Sequence, residues 1–312
     1  MAEEDKEARE AEVEDAAGSD GGSSSDGEQV EANAAAASGS GSQGGKNKGR
    51  KVVLSDGRVV SCKVRNHVNP LQPHFQKPVP VPTDGGWSKI YGDLAKPAVL
   101  DLGCAKGRFC LEGAKKFPKF NWLGIEIREP LVARANEWVQ EQKLDNLHYI
   151  FGNASAGMAA LLGSMPPGFV KRVTIQCPDP LFKKKHQKRR MVTDRLVAEL
   201  ASHMSEGAML FVQSDVEQVA MQMVDTVAAN GTFERITELS GSILDENSSG
   251  EQAAPVAPVP RPRPIDGGDF HNTSIGGGEW EHKGAGAEPD GSYQWLPDNP
   301  LGLMSERESA TL

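Results

Sequence analysis

Between residues 97 and 236, short apolar runs alternate with longer segments whose apolar residues recur at helical spacing. Each short run is apolar at consecutive positions, which is typical of a strand buried on both faces. The predicted strands are Ala98–Leu102, Asn121–Ile127, Leu147–Phe151, Val170–Gln176 and Met209–Gln213. The predicted helices are Gly107–Phe117, Pro130–Lys143, a short one ending near Leu162, Arg190–Met204 and Asp215–Ala229. Because strand and helix alternate, the sequence predicts an α/β fold with a doubly wound, mostly parallel sheet.

The composition changes on both sides of this α/β domain, which we place at residues 97–240. Residues 1–50 combine an acidic block with glycine and serine runs, which predicts a disordered tail. Residues 51–96 form a connector, in which KVVLSDGRVVSCKVR predicts a hairpin and the prolines of NPLQPHFQKPVPVP predict an extended path over the domain surface. Fifteen of residues 241–290 are Gly or Pro, which predicts a disordered insertion. Residues 291–312 regain apolar side chains and are expected to return to the domain.

The charge of the chain is strongly segregated. The formal net charge is −9, but residues 1–45 alone hold twelve acidic and two basic side chains, so the remainder is close to neutral. Within that remainder, residues 171–195 hold nine Lys and Arg against two Asp. A basic region on a near-neutral domain favours a polyanionic partner.

Other features of the sequence disfavour several classes of protein. No apolar stretch approaches the roughly 18 residues of a membrane helix, so no membrane partner is expected. The acidic start MAEEDKEAREAEVED is unlike a secretory signal or a transit peptide, so we expect an intracellular protein, in the cytoplasm or nucleus rather than a plastid. The four cysteines form no CxxC pair, so neither a disulfide framework nor a metal site is expected.

Candidate chemistry begins where the predicted strands end, because doubly wound sheets bind ligands at the carboxyl ends of their strands. Asp101-Leu-Gly103-Cys-Ala-Lys-Gly107 is a glycine turn of GxxxG spacing after the first strand. Glu126 ends the second strand and can accept hydrogen bonds from both ribose hydroxyls of an adenosine cofactor. The alternative is an ordinary exposed glutamate that pairs with Arg128. Together the turn and the acid favour a nucleoside cofactor, either NAD or S-adenosyl-L-methionine (SAM).

The segment after the fourth strand places an acid beside a dense run of cations. Asp179 stands between two prolines, which restrict the local backbone. Six Lys and Arg follow between Lys183 and Arg190 with no acid among them, enough to neutralise several phosphates. A nuclear localisation run or a solvated face would share this composition. The position of the run beside a strand-end acid favours a nucleic-acid substrate, and Asp215 adds an acid after the fifth strand.

Five motifs, in this order, resemble the tRNA (guanine-N7-)-methyltransferase family of class I SAM-dependent enzymes: DLGCAKGRF, NWLGIEIR, CPDPLFKKKHQKRR, FVQSDVEQVA and WLPDNPLGLMSERE. RNHVNPLQPHF and the Cys before PDP resemble its plant and cyanobacterial branch. The resemblance covers about Arg65–Arg235 and Trp295–Glu308. It implies a Rossmann-like fold and methyl transfer from S-adenosyl-L-methionine to guanine N7 in tRNA, at variable-loop position 46. It also implies action without a partner subunit, as a monomer or homodimer.

The same resemblance implies roles for individual residues. The cofactor contacts fall on Asp101, Gly103, Glu126, Arg128, Asn153 and Ala154, with Asn153 beside the adenine. The catalytic acid falls on Asp179. The substrate-binding positions fall on Lys183, Asp215, Ser305 and Glu308. The remaining cations of the basic run, which we expect to contact tRNA phosphates, are Lys184, Lys185, Lys188, Arg189 and Arg190.

The chain departs from the family pattern at three places. Ala105 replaces the usual middle glycine of the first loop, and Ser305 stands where Thr is usual. Relatives continue beyond the position of Leu312 through a final strand, so we expect an unpaired sheet edge here.

Three other functions are alternatives to this reaction. An NAD-dependent reductase would require GxGxxG and a Tyr/Lys pair four residues apart, and none of the three tyrosines has a lysine there. An RNA methyltransferase acting on an exocyclic amino group is closer, since Asp179-Pro-Leu-Phe182 differs by one residue from the D-P-P-[YF] signature. A non-catalytic tRNA-binding relative is the third alternative.

Overall fold

The computed structural model describes residues 50–65, 67–83, 86–181, 183–236, 242–244, 301 and 303. The first elements are the strands β1 (Lys51–Val53) and β2 (Val59–Ser61), which pair antiparallel as the predicted hairpin. Arg50 ties the hairpin to the domain, because its guanidinium lies 3.1 Å from Glu137 Oε2 and 2.9 Å from Glu141 Oε1.

Five parallel strands form the main sheet, in the order β5-β4-β3-β6-β7. They are β3 (Ala98–Leu102), β4 (Asn121–Glu126), β5 (Leu147–Phe151), β6 (Val170–Gln176) and β7 (Met209–Gln213). The helices are α1 (Trp87–Ile90), α2 (Arg108–Lys116), α3 (Glu129–Gln142), α4 (Ala159–Gly163), α5 (Asp194–His203) and α6 (Glu217–Asn230). This arrangement confirms the predicted doubly wound α/β fold.

One predicted helix start is wrong by four residues, whereas the other predicted helix bounds lie within two residues of the observed ones. The sequence predicts a helix from Arg190, but α5 begins at Asp194. The hydroxyl of Thr193 accepts a hydrogen bond from Leu196 N at 3.2 Å and so caps the helix at that point. The basic residues before it form a separate 3-10 helix at Lys184–Arg189.

Both faces of the sheet are covered by apolar side chains, because neighbouring residues of the central strand point to opposite faces. Leu100 belongs to a cluster that includes Trp87 and Leu196, whereas Val99 belongs to a second cluster with Trp122. The second cluster also contains the described apolar residues near the end of the chain, which are Ile243, Leu244, Leu301 and Leu303. All five residues of β3 are buried, which explains the continuous apolar run in the sequence.

The strand order determines where a ligand can bind. From β3 the chain continues to β4 on one side, and from β6 it continues to β7 on the other. The neighbouring carboxyl ends of β3 and β6 therefore border the crevice at which such sheets bind ligands. Among the described residues, no helix has the length and apolar composition needed to cross a membrane.

Candidate active site

A cavity of about 480 Å³ opens at the carboxyl edge of the sheet. The ends of β3, β4, β5 and β6 line it, together with connector residues between Cys62 and Pro70. Its volume lies within the range usual for small-molecule sites, roughly 300–1,000 Å³. The cavity therefore lies at the predicted position. The connector forms one of its walls, which the positions of the strand ends alone did not predict.

The floor of the cavity holds a buried carboxylate at the end of β3. Asp101 is 3% exposed. It accepts hydrogen bonds from Thr174 Oγ1 at 2.7 Å and from Gln176 Nε2 at 3.3 Å, both from β6. These bonds anchor the acid across the switch point, at the border between the two halves of the sheet.

The loop after Asp101 favours glycine because of its backbone conformation. Gly103 has a φ of +83°, which residues with side chains rarely adopt; a Cβ there would lie 2.8 Å from Met191 Cε, the movable end of a flexible side chain. Its amide donates to the Ile125 carbonyl at 2.8 Å, which holds the loop against β4. Because Gly103 has no side chain, the backbone of the loop faces the cavity directly at this position.

Ala105, the departure from the family pattern, also has a left-handed backbone, with φ +50°. A side chain in that conformation costs about 1–2 kcal/mol. Its amide donates to Glu126 Oε2 at 2.9 Å. Cys177 at φ +46° and Leu181 at φ +45° line the same cavity, so three of the strained non-glycine residues in the described part of the chain lie in its wall.

Glu126 is 3% exposed and carries a dense set of hydrogen bonds. Its Oε1 accepts from the Arg128 backbone N at 3.0 Å and from Arg128 Nε at 2.8 Å, and Arg128 Nη2 lies 3.2 Å from Oε2. Burial works against the charge of Arg128, but the hydrogen bonds and charge of Glu126 outweigh it and raise the pKa of the guanidinium. Glu126 is therefore a buried, oriented acid rather than an exposed surface glutamate, although it does pair with Arg128.

Asn153 holds the connector against the cavity. Its Nδ2 donates to the carbonyls of Pro70 at 3.2 Å and Phe75 at 3.1 Å, and its Oδ1 accepts from Ser155 N at 3.1 Å. Asn153 and the buried Ala154 both line the cavity, as their assigned role requires. The contact with adenine stays a prediction, because the side-chain amide is occupied by the connector in this structure.

Asp179 lies on the opposite wall, after β6. Its side chain is 43% exposed, and His67 Nδ1 lies 2.9 Å from its Oδ1. Sequence reasoning did not single out His67. Its position within RNHVNPLQPHF, the segment that resembles one branch of the family, is the signal that could have found it.

The structure divides the cations of the basic run into two groups. Exposed side chains belong to Lys183, Lys185 and Lys188. Arg189 and Arg190 are half-buried, and Arg189 lines the cavity. Burial lowers the pKa of Arg190. Among the described residues, none provides a hydrogen-bond partner for the buried Nε of Arg189. The predicted phosphate contacts of these residues stay predictions.

The remaining assigned residues lie further out or beyond the described ranges. Asp215 is exposed and follows β7 on the same edge of the sheet. Only the backbone of Lys184 is described, within the 3-10 helix. Ser305 and Glu308 lie outside the described residues, as do residues 1–49 and most of the segment from 245 to 312.

Three of the cysteines, Cys62, Cys104 and Cys177, line the cavity. All four cysteines lie within the described ranges, and none forms a disulfide. In the same ranges, no three His, Cys, Asp or Glu residues are grouped closely enough to hold a metal ion.

Comparison with known proteins identifies relatives of the chain. Residues 95–251 match a family model described as "Putative methyltransferase". The tRNA (guanine-N(7)-)-methyltransferase of Trichormus variabilis is 46% identical over 59% of this chain and 84% of its own length. The enzymes of the same name from Thermosynechococcus vestitus and Synechococcus elongatus are 48% and 49% identical, over 81% and 80% of their lengths and 58% and 55% of this chain.

One solved structure overlaps the chain in part. The precorrin-6y C5,15-methyltransferase from Geobacter metallireducens is 11% identical, with a TM-score of 0.34 over 44% of this chain and 62% of its own.

Proposed function

Because the chain belongs to the tRNA (guanine-N7-)-methyltransferase family, we propose that it transfers a methyl group from S-adenosyl-L-methionine to guanine N7 in tRNA. The observation that carries the proposal is the pair of carboxylates across one cavity at the switch point. Glu126 is buried at the end of β4, and Asp179 stands exposed after β6 beside a run of cations. The finer proposal is that the target is position 46 of the variable loop.

The residues on the β4 side of the cavity fit this cofactor. Glu126 presents an oriented carboxylate for the two ribose hydroxyls, and Gly103 presents backbone without a side chain. Asn153 and Ala154 line the wall assigned to the adenine, and Asp101, a further assigned cofactor contact, lies at the floor of the cavity. When bound, S-adenosyl-L-methionine supplies an electrophilic methyl group on its sulfonium.

The residues on the β6 side fit a guanine acceptor. Guanine N7 has a free in-plane lone pair and loses no proton on methylation, so the site needs no general base. Its main task is alignment, which can contribute several kcal/mol to lowering such a barrier. Asp179 accepts hydrogen bonds from the N1 and N2 donors of the guanine and stabilises the positive charge that develops on the purine.

The exposed lysines beside Asp179 provide the electrostatic part of tRNA binding. The side chains of Lys183, Lys185 and Lys188 are exposed and can reach phosphates. Contacts of this kind position a nucleic acid without reading its sequence. We further propose that the chain acts without an obligatory partner subunit, as a monomer or homodimer, which the resemblance to the cyanobacterial branch supports.

The test is methyl transfer from labelled SAM to an unmodified tRNA transcript, followed by chromatographic identification of the labelled nucleoside. We expect 7-methylguanosine, and we expect the label to be lost when position 46 of the transcript is not guanosine. Label in an N-methylated exocyclic amine would instead support the amino-group alternative. A protein that binds tRNA but neither SAM nor its product would support the non-catalytic alternative.

A further inference from the structure

The exposed acid on the acceptor side is held by a side chain from outside the α/β domain. His67 Nδ1 lies 2.9 Å from Asp179 Oδ1, whereas the buried acids Asp101 and Glu126 are held by groups of the domain itself. His67 belongs to the connector, whose neighbouring residues Val68 and Pro70 line the cavity. The connector therefore reaches both the cofactor wall and the acceptor acid.

Several hydrogen bonds fix the connector just after His67. The carbonyl of Pro70 accepts from Asn153 Nδ2 at 3.2 Å and from Gln76 Nε2 at 2.6 Å. Further along, Val79 is buried, and its amide donates to the Gly157 carbonyl at 3.1 Å. A chain extends at most about 3.6 Å per residue, so His67 cannot lie more than roughly 11 Å from Pro70. The clamp at Pro70 thus confines His67 to the neighbourhood of the acceptor wall.

The exposure of the pair indicates a role other than stabilising the fold. The His67 side chain is 74% exposed, and exposed contacts between polar or charged side chains typically contribute only about 0–1 kcal/mol to stability. By contrast, a half-exposed carboxylate that must bind a guanine aligns it better when the carboxylate itself is held in one orientation. A side chain that lies against Oδ1 can restrict rotation of the carboxylate that the guanine donors approach.

We propose that His67 is a positioning residue, which holds the Asp179 carboxylate in the orientation needed for guanine; the inference rests on the proposed function. The connector then links the cofactor wall to the acceptor wall of the cavity, because Asn153 on the cofactor wall fixes the segment that presents His67 to Asp179. His67 itself need not touch either substrate.

The experiment compares three substitutions that differ in the position of the side-chain donor. His67→Ala removes the donor, His67→Asn keeps a nitrogen donor close to the place of Nδ1, and His67→Gln moves it further along the side chain. For His67→Ala we expect kcat to fall about 10- to 100-fold, the order of effect of losing a polar contact to a charged group, because the Asp179 carboxylate loses the side chain that orients it. We expect His67→Asn to recover most of that loss and His67→Gln to recover little. The matched control is His74→Ala, an exposed histidine of the same connector.

Two further readouts separate positioning from a structural effect. The dissociation constant of S-adenosylhomocysteine and the melting temperature should be unchanged in all three His67 variants. In a double-mutant cycle, His67→Ala should have no further effect on kcat once Asp179 is Ala, because the two side chains act as one unit.

The outcomes are distinguishable from failure of the proposed function. If the wild type forms no 7-methylguanosine, the function and this inference are both overturned. If the wild type is active and His67→Ala matches it, only the role of His67 is overturned. An Asn variant as slow as the Ala variant, or an additive loss in the double mutant, would also overturn it.

Discussion

On the cofactor side of the cavity, Asp101 and Glu126 are buried and their oxygens accept hydrogen bonds from fixed groups of the domain. On the acceptor side, Asp179 is half-exposed, and the lysines near it extend into solvent. A cofactor small enough to be enclosed can bind to preformed, buried acids, because these carboxylates already have hydrogen-bond partners before the cofactor binds. A tRNA is too large to be enclosed, so its binding depends on exposed charge and on one aimed carboxylate.

The largest expected effect tests the acceptor side alone. Asp179→Ala removes the group that faces the developing positive charge, so we expect kcat to fall at least about 100-fold. The affinity for S-adenosylhomocysteine, measured by calorimetry without tRNA, should change less than about twofold, since an exposed group on the far wall adds little to that binding. Turnover at the wild-type rate would remove Asp179 from the mechanism.

The next effect tests the cofactor side alone. Glu126→Ala should weaken binding of S-adenosylhomocysteine about 10- to 100-fold, because two ribose hydroxyls lose a charged acceptor. It should also lower the unfolding free energy by roughly 3 kcal/mol, since the guanidinium of Arg128 loses its buried partner. Calorimetry and urea unfolding measure the two effects. Glu112→Ala, at an exposed glutamate of α2, is the control and should change neither.

A smaller effect tests whether the exposed lysines act only on tRNA. Replacing Lys183, Lys185 and Lys188 together by Ala should weaken tRNA binding and flatten its salt dependence by about one unit of slope for each phosphate that the protein no longer neutralises. The control removes the same charge elsewhere, at the exposed residues Lys89, Lys115 and Lys116. Equal weakening in both triple variants would show that overall charge, and not this surface, attracts the tRNA. Binding of S-adenosylhomocysteine should be unaffected in either.

Much of the fold was predictable because its determinants are local. Four of the five main strands have the predicted bounds, since a buried parallel strand is a continuous apolar run. The start of α5 was missed because Arg190 to Val192 are compatible with a helix, and the cap at Thr193 decides where it begins. The strand-end positions of Asp101, Glu126 and Asp179 followed from the same local pattern.

The contacts of the connector could not be predicted in this way. Prolines exclude a helix there, but nothing local places Pro70 under the amide of Asn153, which is 83 residues away in sequence. The pairing of His67 with Asp179 is equally non-local. The composition of the basic run likewise does not indicate that Arg189 would face the cavity while its neighbour Lys188 faces solvent.

The smallest expected effect concerns Ala105, whose backbone conformation on the cofactor side of the cavity is strained. Its φ of +50° is one that glycine adopts at no steric cost, so Ala105→Gly should relieve about 1–2 kcal/mol of strain. Glycine also gives the unfolded chain more freedom, which offsets roughly 0.5–1 kcal/mol. The net expectation is a rise in the unfolding free energy of about 0.5–1 kcal/mol. Urea unfolding measures it.

A matched substitution shows whether that gain is specific to the cavity. Lys143, at φ +52°, ends α3 in the left-handed conformation that commonly closes a helix, and it lies away from the cavity. Lys143→Gly should therefore give a similar rise in stability without any change in S-adenosylhomocysteine binding. Ala105→Gly, by contrast, loosens the loop whose amide holds Glu126, so its affinity should fall even as stability rises. Unchanged affinity in Ala105→Gly would mean that Glu126 is oriented by Arg128 alone.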